Sequence, residues 1–81
     1  MKKQLIIITL VENNRVLASD TFEVTAENII TSQEAAYEAF ERYASDFKTP
    51  QQIASAWDDS WYLELTPQRT VSISKSFLTE A

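Results

Sequence analysis

The 81-residue chain contains no cysteine, no histidine and no glycine. Without cysteine there is no disulfide framework, no thiolate nucleophile and no zinc or iron–sulfur site built on sulfur. Without histidine the chain lacks the side chain that ordinarily titrates near neutral pH, which excludes histidine-based triads and imidazole metal sites. Without glycine, the phosphate-cradling loops, the dinucleotide fingerprint and the nucleophile elbow are excluded as well. Positive charge is also scarce, with seven basic residues against twelve acids and a net charge of −5. That balance disfavours non-specific attachment to DNA, RNA or anionic membrane and suits a partner with a basic surface. Long apolar runs are missing too. The run from Leu5 to Val11 follows two lysines but contains Thr9 and leads into Glu12-Asn13-Asn14-Arg15, with no small-residue cleavage site. It is too short to span a bilayer and reads as a strand, so a cytoplasmic protein is expected.

What remains is the composition of a globular chain, 44% apolar and 11% aromatic. A chain of this length supports one domain and one core, and it buries only about 60–65% of its unfolded surface. The organising segment is Thr31 to Phe47, in which Ala36, Phe40, Tyr43 and Phe47 recur at helical spacing. They form one apolar stripe of a long amphipathic helix. Thr31 and Glu34 have the spacing of a capping box, and Lys48 suits the carboxyl end of the helix dipole. Thr49-Pro50-Gln51-Gln52 repeats the start signal, and Ile53, Ala54 and Trp57 predict a short second helix that Asp58-Asp59-Ser60 breaks.

The flanking segments alternate as strands. Gln4 to Val11 is apolar on both parities, with Leu5, Ile7 and Val11 on one side and Ile6, Ile8 and Leu10 on the other, as in a central strand. Asn13-Asn14 supplies the hairpin turn, with Glu12 facing Arg15. Val16 to Val24 returns, with Val16, Ala18, Phe22 and Val24 on one face and Asp20 interrupting them, either at an edge or near a bulge. Ile29 and Ile30 are expected to tuck over the core ahead of the long helix. Trp61 to Leu65 places Trp61, Leu63 and Leu65 on one face. After the Pro67 turn, Thr70 to Phe77 sets Val71, Ile73 and Phe77 against Thr70, Ser72, Ser74 and Ser76. The predicted fold is α+β. It has a single four-stranded antiparallel sheet in the order β-β-α-α-β-β, with both helices on one face. Strand order 2-1-4-3 is preferred over 2-1-3-4.

Three groups of residues are candidates for contact with a partner. Glu34, Glu38 and Glu41 share a helix face at i, i+4 and i+7 and could dock on arginine and lysine clusters. An ordinary solvated face with a Glu38–Arg42 pair explains the same spacing. In Trp57-Asp58-Asp59-Ser60-Trp61-Tyr62, the tryptophans suit the core and Tyr62 has the outward parity of an interface residue. Asp58 and Asp59 alone lack the ligand number of a calcium or magnesium site, and no metal or other cofactor is expected. Ile6, Ile8, Leu10 and Leu17 would form an exposed apolar patch if the helices cover only the other face of the sheet.

These features predict a non-enzymatic protein-binding module that docks on a basic, nucleic-acid-binding surface of another protein, without binding nucleic acid or membrane itself. In size and composition the chain resembles small phage- or plasmid-encoded inhibitors of host defence nucleases, anti-CRISPR and DNA-mimic proteins among them. That resemblance implies an inhibitor whose acidic helix face steers it to its target. The alternatives are a homodimer or larger homo-oligomer that buries an apolar sheet face, and an enzyme using carboxylates alone.

Overall fold

The computed structural model describes residues 2–76, 79 and 80. The elements are β1 (Lys2–Glu12), β2 (Arg15–Thr25), α1 (Ile29–Ala44), α2 (Pro50–Asp59), β3 (Tyr62–Thr66), β4 (Arg69–Lys75) and a two-residue β5 (Thr79–Glu80). The four main strands form one antiparallel sheet in the order β2-β1-β4-β3, and β5 adds to β1 at Lys2 and Lys3. This is the predicted α+β arrangement with the preferred strand order. β5 has no counterpart in the sequence reading, and the expected inward Phe77 lies outside the described residues.

Both helices pack on the same face of the sheet. The core joins Ile6 and Ile8 of β1, Val24 of β2, Val71 and Ile73 of β4 and Leu65 of β3 to Ala36, Ala39, Phe40 and Ala44 of α1 and Ile53 and Ala56 of α2. Three alanines on the buried face of α1 let its backbone approach the sheet closely, and Phe40 fills the space between them. Burying side chains the size of Ile6, Ile8 or Phe40 contributes roughly 1.5–3 kcal/mol each.

The register decides which side of β1 faces the helices, and it reverses one expectation. Ile6 lies opposite Phe22, and Ile8 lies between Asp20 and Ile73. Ile6 and Ile8 are 0% exposed, and Leu10 packs against the core, so these three are core residues instead of a free patch. The uncovered face carries Leu5, Ile7, Thr9 and Val11, bordered by Thr21 and Ser19 on one side and Ser74, Ser72 and Thr70 on the other. The row of small hydroxyls on β4 is therefore on the open face, as the alternation predicts.

A bulge sets the rest of the first hairpin. Leu10 pairs with Ala18 but Val11 pairs with Val16, so Leu17 is the extra residue. The insertion turns Val16 to the open side, away from Ala18 and Phe22, and leaves Leu17 49% exposed. A second register shift makes Leu65 an extra residue of β3, and that one is buried. Asp20 is on an edge strand, as one of its two expected placements has it, but it faces the helices and accepts a 2.5 Å hydrogen bond from the Tyr43 hydroxyl. The chain has no glycine, and among the described residues left-handed backbone falls to Asn13 (φ 50°), Asn14 (φ 65°) and Trp61 (φ 57°). The two asparagines make the hairpin turn as predicted, and Asn13 N–H donates to the Gln68 carbonyl in the neighbouring turn. Glu12 lies opposite Arg15, yet its carboxylate pairs with Arg69 at 3.0 Å.

The helix starts differ in how well they are marked. α2 has the predicted capping box: Gln52 N–H donates to Thr49 Oγ1, and Thr49 N–H donates to Gln52 Oε1. α1 begins at Ile29, so Thr31 and Glu34 lie inside it and cap nothing. Its start is shaped by Asn28, whose Oδ1 accepts from the Thr25 N–H and hydroxyl and holds the chain in a turn. The helix ends at Ala44, which leaves Phe47 outside it and exposed beneath the Arg69 guanidinium. Asp58 and Asp59 fall inside α2, and Ser60 ends it. Trp61 precedes β3 and keeps an exposed indole, with Lys75 Nζ 3.8 Å from its ring centroid, so it does not share the core face with Leu65.

Candidate functional site: an acidic groove between the two helices

Once α1 starts at Ile29, its outer surface acquires a second stripe beside the buried one. Ile30, Glu34, Tyr37, Glu38 and Glu41 follow one another at i, i+4, i+7, i+8 and i+11, which keeps them on one side of the helix. α2 runs beside that side and presents Trp57. The Tyr37 and Trp57 rings meet edge to face with centroids 5.3 Å apart, and Phe40 lies 5.6 Å from Trp57 beneath them. Edge-to-face contact sets the positive rim of one ring against the negative face of the other. A groove of about 390 Å³ runs between the helices, lined by Ile30, Gln33, Glu34, Tyr37, Glu38 and Trp57.

The groove wall is acidic, carrying Glu34 and Glu38. Its lining has no basic residue. The expected Glu38–Arg42 pair is not formed: the ion pairs among the described residues are Lys3–Glu23 and Arg69–Glu12. The Tyr37 hydroxyl is held above its usual pKa of 10.0, first by burial and then by the nearby charges of Glu41 and Asp58, with a hydrogen bond to Glu41 adding to the shift. A phenolate there would sit among carboxylates, so Tyr37 stays a neutral donor. Among the described residues no three acidic side chains converge closely enough to hold a metal ion. The negative charge is spread along a furrow instead of being gathered at a point.

Of the candidate contact residues, Glu34 and Glu38 lie on the groove wall, and Glu41 and Asp58 are near enough for their charges to act on Tyr37. The others are elsewhere. Asp59 accepts from Ser55 Oγ and borders, with Tyr62 and Lys48, a separate hollow where α2 meets β3. Tyr62 also stands opposite Ser72 and is 51% exposed. Leu17 is at the bulge of the first hairpin. The residues that sequence reasoning missed are Ile30, Tyr37 and Trp57 as groove lining. Ile29 does pack on the core as expected, but Ile30 is 71% exposed. The signal for the missed stripe is its helical spacing, hidden while the helix is taken to begin at Thr31.

Two other hollows offer less chemistry. The one lined by Lys3, Gln4, Leu5, Glu23, Ser76 and Thr79 already contains its own neutralising pair, Lys3–Glu23 at 3.0 Å. The hollow beside Tyr62 mixes glutamine and serine with Lys48 and Asp59, charges of opposite sign. No helix among the described residues is long and apolar enough to cross a membrane. Compared with protein-family models, with curated proteins and with solved structures, the chain matches none of them.

Proposed function

We propose that this chain is a non-catalytic protein-binding module that sets the outer face of α1 against a basic, nucleic-acid-binding surface of a partner protein and blocks it. The observation that carries this reading is the groove wall. Glu34, Glu38 and the adjacent Asp58 have no ion-pair partner among the described residues, and they flank an aromatic floor. Glu34 and Glu38, like charges at i, i+4, repel one another by only about a few tenths of a kcal/mol in water. Such carboxylates attract a cationic surface over roughly a Debye length of about 8–10 Å. The half-buried rings beside them supply the apolar contact that steering alone lacks. A surface selected to bind phosphates presents the arginines and lysines that such a face would engage. The size, acidity and absent catalytic groups fit an inhibitor of the anti-defence kind, anti-CRISPR or DNA mimic.

The test is a partner isolated through the native protein and then measured with purified components. Its affinity should fall steeply as ionic strength rises, fall further for Glu34→Lys/Glu38→Lys/Glu41→Lys, and be lost in competition with the partner's own nucleic acid. A partner that binds the triple variant as well as the native chain, or is indifferent to salt, rules the reading out. A second reading is favoured by the uncovered sheet face, where Leu5, Ile7 and Val11 stand among hydroxyls. Face-to-face association of two copies would bury them, and it would respond little to salt.

A further inference from the structure

Folding leaves two features of the α1–α2 groove unexplained. Ile30 spends a large apolar side chain at one end of it, 71% exposed, where any helix-forming residue would serve the fold. Meanwhile Tyr37 and Trp57, each only half-buried, keep part of their ring surface toward the same groove, beneath carboxylates that lack a cation. An occupant must therefore be positive at one end and aliphatic along its length. We propose that the groove receives a single arginine side chain from the partner protein. The arginine's methylene stem lies along Ile30, and its guanidinium rests against the Tyr37–Trp57 pair within reach of the Glu34 and Glu38 carboxylates. This assignment rests on the reading above and narrows it to one contact.

The chemistry separates arginine from the other cations. A metal ion needs several oxygens converging on one point, and the acids here are strung along the furrow. A lysine ammonium is compact and strongly hydrated, so it gives up more hydration to enter an aromatic-floored groove, and it has no planar face to lay on the rings. The planar guanidinium stacks on rings and donates in two directions at once. The Glu34 and Glu38 carboxylates on the groove wall can only accept hydrogen bonds, and arginine is all donor.

The test uses the full chain, labelled for ¹H–¹⁵N NMR, and two short peptides of equal charge, one carrying arginine and the other lysine at every basic position. With the arginine peptide, saturable shifts should be confined to the Trp57 indole N–H and the α1 amides lining the groove. Binding of the lysine peptide should be roughly tenfold weaker. Glu34→Gln/Glu38→Gln should abolish the saturable shifts. Ile30→Ala, at an exposed position, should weaken the arginine peptide several-fold while leaving the thermal midpoint unchanged. Equal affinity for the two peptides, shifts spread over the whole acidic surface, absence of saturation, or an Ile30→Ala protein that binds normally each overturn the proposal. So does a change in sedimentation that places the chain's own Arg15, Arg42 or Arg69 in the groove of a second copy. A partner that binds through the acidic helix but ignores Ile30→Ala would sink the arginine groove and leave the broader reading standing.

Discussion

Replacing Tyr43 by phenylalanine removes one oxygen and tests how α1 is fastened over the edge of the sheet. The Tyr43 hydroxyl donates to Asp20 Oδ2 at 2.5 Å, joining the middle of β2 to the last turn of α1 across 23 residues of sequence. Asp20 is otherwise a carboxylate turned toward the apolar side of the sheet, opposite Ile8. A hydrogen bond to a charged acceptor is worth roughly 1.5–3 kcal/mol. Both partners keep some contact with solvent, which brings the expected loss for Tyr43→Phe to about 1–1.5 kcal/mol. In a protein of this size that lowers the thermal midpoint by roughly 5–10 °C. A double-mutant cycle with Asp20→Ala, followed by urea unfolding, isolates the pair from the packing of the ring. The contribution also has a pH signature. Tyr43 is held above its ordinary value of 10.0, first by the Asp20 hydrogen bond, then by burial and the Asp20 charge, with Arg42 opposing. A raised folded-state pKa stabilises fully below the unfolded value and is lost as pH rises through the folded one. The gap between native and Tyr43→Phe stability should therefore be flat from neutral pH up to about pH 10 and close above it. A coupling energy under about 0.3 kcal/mol, or a gap that widens at high pH, would refute the reasoning.

Two further substitutions test the fold. Ile8→Ala should cost about 2–5 kcal/mol by chemical denaturation, whereas Leu17→Ala at the bulge should stay within about 0.5 kcal/mol; the opposite order would mean that the sheet is turned over. Thr49→Ala should lose about 1 kcal/mol with the capping box of α2, while Thr31→Ala, inside α1, should cost less than half of that; similar losses would argue that α1 starts at Thr31 after all.

The four main strands, the two helices and the strand order could be read from the sequence, because alternation and helical spacing are properties of neighbouring residues; the two-residue β5 is too short to carry either signal. The side of β1 that faces the helices could not. Leu5 to Val11 is apolar on both parities, so only the pairing partners decide, and Phe22 opposite Ile6 decides against the expected patch. The bulge at Leu17 has no local signature either, yet it turns Val16 to the open side. The same limit hid the groove. Glu34, Glu38 and Glu41 could be found as a charged row, but their aromatic floor depends on α2 bringing Trp57 beside Tyr37. The start of α1 is not legible in the sequence because Thr31 and Glu34 imitate a cap, while Asn28 holds the turn by bonding backward to Thr25.

The left-handed corners at Asn13, Asn14 and Trp61 have a consequence for the chain before it folds. An average protein of this length would carry about six glycines, and each such residue replaced by a bulkier one removes roughly 0.4–1 kcal/mol of denatured-state freedom. Forcing a side chain such as that of Trp61 into a mirror-image backbone well gives back about 1–2 kcal/mol. Stiffness is therefore spread along the whole polypeptide, and the resulting strain is confined to a few bends. A small core then has less disorder to overcome, and Trp61→Gly would relax one bend while loosening the ensemble from which the protein folds.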